Sequence, residues 1–281
     1  MKIAVCTSDF YAPVHESIKE SGHEVSQVFT SLPLDSDWCL KTAQFAHDMR
    51  AELISGEVTP GHIKEMIDSG VDLLISAAYD YKVPVPEDGS LKCINVHGTL
   101  LPEGRGPWPA PQILLKYPEA AGLTLHTMTN KWDFGEIVLQ EKIEVSPKDD
   151  SDSLIAKTIY LARKLSRELL GNFDRLWDAR KQMQGPGTYW RKPTDAERTV
   201  SPFDEAERIT AIFRAFGRDT LFSPDGTSRG KEIEKLVVWK QESGEQPGLL
   251  VASNNSQRIY AIRGGLLSVY CDASFVWGDT G

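Results

Sequence analysis

With 281 residues, 41% of them hydrophobic, the chain is long enough to fill one large α/β core or the cores of two domains. Its 31 Lys and Arg stand against 40 Asp and Glu, a formal net charge of -9, which argues against a protein built mainly on attraction to a phosphate backbone. The N-terminus, MKIAVCTSDF, is too short in apolar residues for a signal peptide, and no run approaches membrane-spanning length, so a cytoplasmic protein with no membrane partner is expected.

In chain order, the first half alternates strand-like and helix-like segments: KIAVCTS, a helix over 12–22, EVSQVFT, a helix over 36–50, AELIS, and TPGHIKEMIDSG. The last has Thr59 placed to cap a helix, Pro60 at its first position and Gly70 beyond its end. VDLLISAAY and LKCINVHG then carry the near-continuous apolar content of strands covered on both faces, which predicts a parallel, doubly wound, Rossmann-like α/β sheet. Residues 122–145 read as two more strands around a turn at Trp132 to Gly135, followed by a long helix over 151–182. On that helix Arg163, Lys164 and Arg167 form a solvated face.

The composition changes at QGPGTYWRKPTDAERTVSP, which reads as a linker. Beyond it come a helix over 204–216 and the strands KLVVWKQ, GLLVAS, RIYAI and LLSVYC, the last two joined at Gly264 and Gly265. The expected division is therefore 1–183 for the α/β domain, 184–202 for the linker and 203–281 for a small β-rich domain. Cys6, Cys39, Cys93 and Cys271 are scattered with no CxxC pair, which suits buried thiols better than disulfides or a zinc knuckle.

Several chemistries have no motif here. The first strand is followed by TSDFYAPV, without GxGxxG, and the chain contains no GxxxxGK[ST], GxSxG or HExxH. In CINVHGTLLPEGRGPWPAP, by contrast, strand alternation turns Cys93, Asn95 and His97 to one face, near the end of the sheet where open α/β folds bind ligands. The pair could simply cap a strand end. The glycine- and proline-rich loop around Arg105 suits a rigid wall that brings backbone close to a ligand, and Asp133 in the downstream turn, with Gly135 behind it, can orient an imidazole and stabilise its charge. Zinc held by His97, His126 and Asp133 is disfavoured, because no two ligands have the usual short spacing.

Asn-x-His, a leucine-proline loop with Arg-Gly, and an Asp-x-Gly turn about thirty-five residues later together resemble the formyltransferases that use 10-formyltetrahydrofolate. That family includes glycinamide ribonucleotide transformylase, methionyl-tRNA formyltransferase and sugar-nucleotide N-formyltransferases. The resemblance covers residues 1 to 182 and continues more weakly beyond, implying a formyltransferase core followed by a small OB-like domain. It implies Asn95, His97 and Asp133 as catalytic residues, with no metal. It further implies a pterin pocket formed by residues 76–84 and 127–133, which include Ala78, Tyr79, Asp80, Tyr81, Met128, Thr129 and Asn130.

For the acceptor, the segment after the second strand, TSLPLDSDWCLKTAQFAHDMR, holds only Lys41 and Arg50 as cations and lacks the basic insertion of methionyl-tRNA formyltransferases. The loop reads GTLLPEGRGPWP rather than serine-leucine-leucine-proline, and its Gly-Arg-Gly is similar to that of sugar-nucleotide N-formyltransferases. A nucleotide-linked amino sugar is the expected acceptor, a small molecule met by Gly104, Arg105, Gly106, Trp108, Tyr189 and Arg191, with Trp190 and Lys192 nearby. Methionyl-tRNA is the alternative, and tRNA the one nucleic-acid partner considered. A formyltetrahydrofolate deformylase would carry a regulatory domain ahead of the core, whereas the core begins at Met1, and a non-catalytic folate-binding module would have lost a member of the triad. A homodimer is left open.

Overall fold

The computed structural model describes residues 1–228, 230–241 and 243–270. Its main sheet starts with β1 (Lys2–Thr7), α1 (Ala12–Ser21), β2 (Glu24–Thr30), α2 (Leu40–Met49), β3 (Glu52–Ser55), α3 (Pro60–Asp68), β4 (Leu73–Ala77) and β5 (Lys92–His97). β4 is buried at every residue and β1 at all but its first, as strands covered on both faces must be. These five strands are parallel in the order β3-β2-β1-β4-β5.

The helix starts are satisfied in two ways, locally and from a distance. In α3 the Thr59 hydroxyl accepts from the His62 N–H while His62 Nδ1 accepts from the Thr59 N–H, a reciprocal cap ahead of Pro60. The helix expected over 36–50 is a tight turn at Asp37–Cys39 followed by α2. The start of α2 is satisfied from a distance: the Asp9 carboxylate accepts from the backbone N–H groups of Lys41 and Thr42 and from the Thr42 hydroxyl.

At β5 the winding changes. After α4 (Ala110–Leu115), β6 (Gly122–Thr127) returns antiparallel beside β5, and β7 (Glu136–Lys142) beside β6. The connection between them runs over residues 128–135, longer than the turn expected at 132–135. The single helix expected over 151–182 is two, α5 (Ser151–Gly171) and α6 (Phe173–Asp178), before β8 (Lys181–Gln182) pairs antiparallel with β7. The break falls at Gly171 and Asn172, both weak helix formers, and Asn172 leaves helical geometry with φ -138°. It lets α6 bury Phe173 and Leu176.

The rest comprises α7 (Asp195–Arg198), β9 (Thr199–Val200), α8 (Ala206–Phe216), β10 (Leu221–Phe222), β11 (Lys231–Glu232), β12 (Lys235–Trp239), β13 (Leu250–Ser253), β14 (Gln257–Ile262) and β15 (Gly265–Tyr270). β9 to β11 form a small sheet, and β12-β15-β14-β13 an antiparallel one whose hairpin turns at Gly264, φ 74°. The inward face of α8, with Ile209, Ile212, Ala215 and Phe216, is buried, and α8 packs on α4. Cys271, the expected end of the last strand, lies outside the described residues.

The chain forms two compact units. One is Met1–Pro109, Glu119–Val145 and Ile155–Trp190; the other is Ala110–Pro118, Ser146–Leu154 and the described residues from Arg191 onward. The stretch expected as a linker thus divides. Its first part lies in the first unit, paired with Arg105 through Tyr189, and α7, within its second part, is capped by Thr194 and Glu197. No helix among the described residues is long and apolar enough to cross a membrane.

Candidate active site

The register of β5 and β6 builds the floor of the site: Asn95 lies opposite His126, and His97 opposite Thr124. The 128–135 connection folds back so that Asp133 meets both strands. Asp133 Oδ1 is 3.5 Å from Asn95 Nδ2, 3.5 Å from His97 Nδ1 and 3.8 Å from His126 Nε2. His97, His126 and Asp133 are all buried. Asn95, His97 and Asp133, taken from the sequence as a set, are therefore brought together, and a second imidazole joins them.

Asp133 is held by its backbone. It sits at φ 52°, in the left-handed region where Asp is tolerated, and Gly135 follows at φ 143°. A Cβ at Gly135 would overlap the Thr127 carbonyl, so only glycine lets the chain turn this closely against β6. The other carboxylate oxygen, Oδ2, accepts from the Gly106 N–H at 2.7 Å, a charge-assisted bond that leaves Oδ1 facing the imidazoles.

The hydrogen bonds fix both rings. His126 Nδ1 donates to the Thr127 carbonyl at 2.9 Å, so Nε2 carries the lone pair and accepts from Asn95 Nδ2 at 3.2 Å. Burial, and then the neighbouring His97, push the pKa of His126 down to about 4, and the ring stays neutral near pH 7. Asn95 is thereby oriented: one N–H goes to His126, and the other is held only loosely by Asp133. His97 Nε2 donates to the Gly104 carbonyl at 2.8 Å, leaving Nδ1 turned toward Asp133. A proton arriving on Nδ1 gains a carboxylate partner at once, which suits general acid and base chemistry.

Arg105 is not an open arm. It is buried, with Nε donating to the Asp133 carbonyl at 3.1 Å, a terminal nitrogen donating to the Pro186 carbonyl at 2.8 Å, and the guanidinium 3.9 Å from the Phe134 ring centroid. Gly104 and Gly106 flank it at φ 71° and 105°. Trp108 is half-buried at φ 54°. Tyr189 is exposed beside Gly106, and Trp190 is buried against Gly104. Arg191 belongs to the second unit, where it pairs bidentately with Glu197 at 2.7 and 2.8 Å. Lys192 is exposed.

The remaining expected residues lie at the ends of β4 and β6. Ala78 leaves β4 at φ 55°. Tyr79 is buried, its hydroxyl donating to the Gly56 carbonyl at 2.6 Å and accepting from the Val58 N–H. With Val83, Leu91 and Cys93 it forms an apolar floor, against which Tyr81 and Met128 pack. Asp80 accepts from the Ser31 hydroxyl, Asn130 Nδ2 reaches Glu87, and the Thr129 hydroxyl bridges the carbonyls of Lys131 and Phe134. Among the described residues no group of three or more His, Cys, Asp and Glu could hold a metal ion.

Sequence reasoning considered His126 only as a disfavoured metal ligand. Its place opposite Asn95 was the missing signal, and that needs the strand register. The Gly106 N–H left no trace in the sequence beyond a glycine.

A family model described as formyl transferase matches residues 1–168, more than half of the chain. A methionyl-tRNA formyltransferase of Lactobacillus acidophilus is 29% identical over 88% of this chain and 80% of its own length. One of Ehrlichia chaffeensis is 31% identical over 70% of this chain and 68% of its own. Among solved structures, a 4-N formyltransferase from Francisella tularensis superposes with a TM-score of 0.63 at 20% identity, covering 82% of this chain and 94% of that one.

Proposed function

Because the chain belongs to the formyl transferase family, we propose that it moves a formyl group from 10-formyltetrahydrofolate to the primary amine of a nucleotide-linked amino sugar, in the cytoplasm. The observation that carries formyl transfer is the convergence of Asn95, His97 and His126 on one oxygen of Asp133. Catalysis is assigned to the first compact unit, which contains all four residues.

The folate supplies an activated formyl carbon. Its flat ring suits the apolar floor of Tyr79, Val83, Leu91 and Cys93, with Ala78 to Tyr81 and Met128 to Asn130 as the segments that would hold it. As the amine attacks, negative charge grows on the formyl oxygen, and the loosely held N–H of Asn95 turns to it. The amide cannot act as a base, and His126 keeps it facing the right way. His97 takes the amine proton on Nδ1, where Asp133 stabilises the imidazolium, and returns it to the departing folate nitrogen.

A sugar nucleotide is favoured as acceptor because the segment over residues 30–50 offers only Lys41 and Arg50 as cations, little for a tRNA backbone. Methionyl-tRNA is the second reading, favoured by the curated relatives, which act on that substrate by their names. Purified protein given 10-formyltetrahydrofolate should release tetrahydrofolate when nucleotide-linked amino sugars are added, not with buffer or charged initiator tRNA. Turnover with tRNA alone would transfer the assignment to methionyl-tRNA, and steady release without any amine would identify a deformylase.

A further inference from the structure

We propose that residues 183–190, a strap some eighty residues downstream, are the positioning element of the reaction, holding through Arg105 the backbone groups that orient His97 and Asp133. Those groups are the Gly104 carbonyl, which fixes His97 Nε2, and the Gly106 N–H, which fixes Asp133 Oδ2. Both lie on a loop whose glycines sit in left-handed conformations, and such a segment has many alternatives unless something else defines it.

The strap defines it. The Thr188 N–H donates to the Pro102 carbonyl at 3.3 Å, the Arg105 N–H to the Thr188 carbonyl at 2.9 Å, and the Trp190 N–H to the Arg105 carbonyl at 2.7 Å. The Thr188 hydroxyl accepts from the Gly104 N–H at 2.9 Å and donates to Glu103 at 2.7 Å. The two segments thus run as a short parallel pair, Arg105 beside Tyr189.

Three glycines permit the approach. A Cβ at Gly104 would come within 2.6 Å of the buried Trp190 ring; one at Gly106 would overlap the Trp190 carbonyl; one at Gly187 would overlap the Pro102 carbonyl. The fit is therefore matched from both sides, with a glycine on the strap as well as on the loop.

Arg105 carries the connection onward. One terminal nitrogen donates to the Pro186 carbonyl and the other lies 3.7 Å from Met183 Sδ, while Nε holds the Asp133 carbonyl and the guanidinium covers Phe134. One fork thus ties the strap to the turn that presents the carboxylate. Lysine, with one nitrogen in place of three spread over a rigid plane, cannot span Asp133, Pro186 and Met183 at once. The strap bonds to Pro102, Glu103, Gly104 and Arg105, the loop that carries the two orienting groups, so its residues act by positioning.

The proposal rests on the formyl-transfer reading for its rate effects but not for its geometry, and the test separates the two. Thr188→Val removes the hydroxyl bridge from an exposed position, and Arg105→Lys removes the fork. We expect kcat to fall about 10-fold in the first and on the order of 10²-fold in the second, since a displacement of about 1 Å from productive geometry costs that much. KM for 10-formyltetrahydrofolate should stay within about 2-fold of the parent, and Thr188→Ser should recover the rate.

The second readout needs no turnover. Nitrogen NMR of the His97 imidazole should report Nε2–H in the parent and a mixture of tautomers in Thr188→Val, with His126 unchanged. An unaltered His97 signature and unaltered kcat in both variants would overturn the proposal. So would a loss of rate matched by loss of folded protein, with the His97 signature of the folded fraction intact. If the parent transfers no formyl group yet Thr188→Val changes the His97 tautomer, the strap stands and the functional reading falls.

Discussion

His15 and His126 are buried in the same unit, the first on a helix beside the parallel half of the sheet and the second on a strand of its antiparallel half, and burial pushes the pKa of both down to about 4. His15, on α1, meets the Thr7 hydroxyl through Nε2 at 2.9 Å and stacks on Phe45 at 4.6 Å, while its Nδ1 has no hydrogen-bond partner among the described residues. His126 has both nitrogens engaged, and the charge it faces is Asp133. Burial alone therefore makes a neutral core histidine. A site arises where buried polar groups share one carboxylate, and the two halves differ in that and not in depth.

The largest expected effects break the antiparallel half. Asp133→Asn should lower kcat by about 10³- to 10⁴-fold, because the oxygen facing His97 Nδ1 loses its charge, and His97→Asn should do as much by removing the proton carrier. Circular dichroism and single-turnover formyl transfer would check that folding survives while the chemical step does not. The same changes in the other half, such as His15→Phe, should leave kcat unaltered.

Next is Gly135→Ala, which brings a methyl group against the Thr127 carbonyl at a φ that alanine disfavours. It should cost about 2–4 kcal/mol of stability, read from urea unfolding, and lower activity because Asp133 moves with the turn.

A pH experiment treats the two histidines alike. In the folded protein each stays neutral down to about pH 4, whereas in the unfolded chain each takes up a proton below about pH 6.5. The folded state thus binds fewer protons between those values, and stability is full above pH 6.5 and declines as pH falls toward 4. Each ring should contribute a loss of about 2 kcal/mol between pH 7 and pH 5. His15→Phe should remove its share of that slope, and an unchanged urea midpoint against pH would contradict the assignment.

The smallest effect concerns thiols. Burial pushes Cys93 up to about 12 and Cys6 higher still, so native protein should react with a thiol reagent at these positions only as fast as it unfolds. Labelling of Cys6 or Cys93 faster than global unfolding would show that the core opens locally.

The sequence was most legible where structure is local. The alternation in CINVH put Asn95 and His97 on one face, Thr59 with Pro60 marked the start of α3, and unbroken apolar runs marked β1 and β4. It was least legible where partners are distant in the chain. Arg105, read as a substrate contact, is buried and bound to Asp133, Pro186 and Met183. The segment read as a linker begins as the strap on Arg105, and one helix became two at Asn172 because burying Phe173 outweighs continuing an exposed turn.

Side-chain periodicity, capping and turn chemistry depend on residues a few positions apart, so the amino-acid order alone determined the α/β architecture and the triad candidates. The antiparallel return of β6 was left to tertiary structure, and with it the pairing of His126 with Asn95 and the closure of residues 183–190 over Gly104 to Gly106. Those contacts join residues roughly thirty to eighty positions apart, where no local preference specifies the partner and packing of the whole unit selects it.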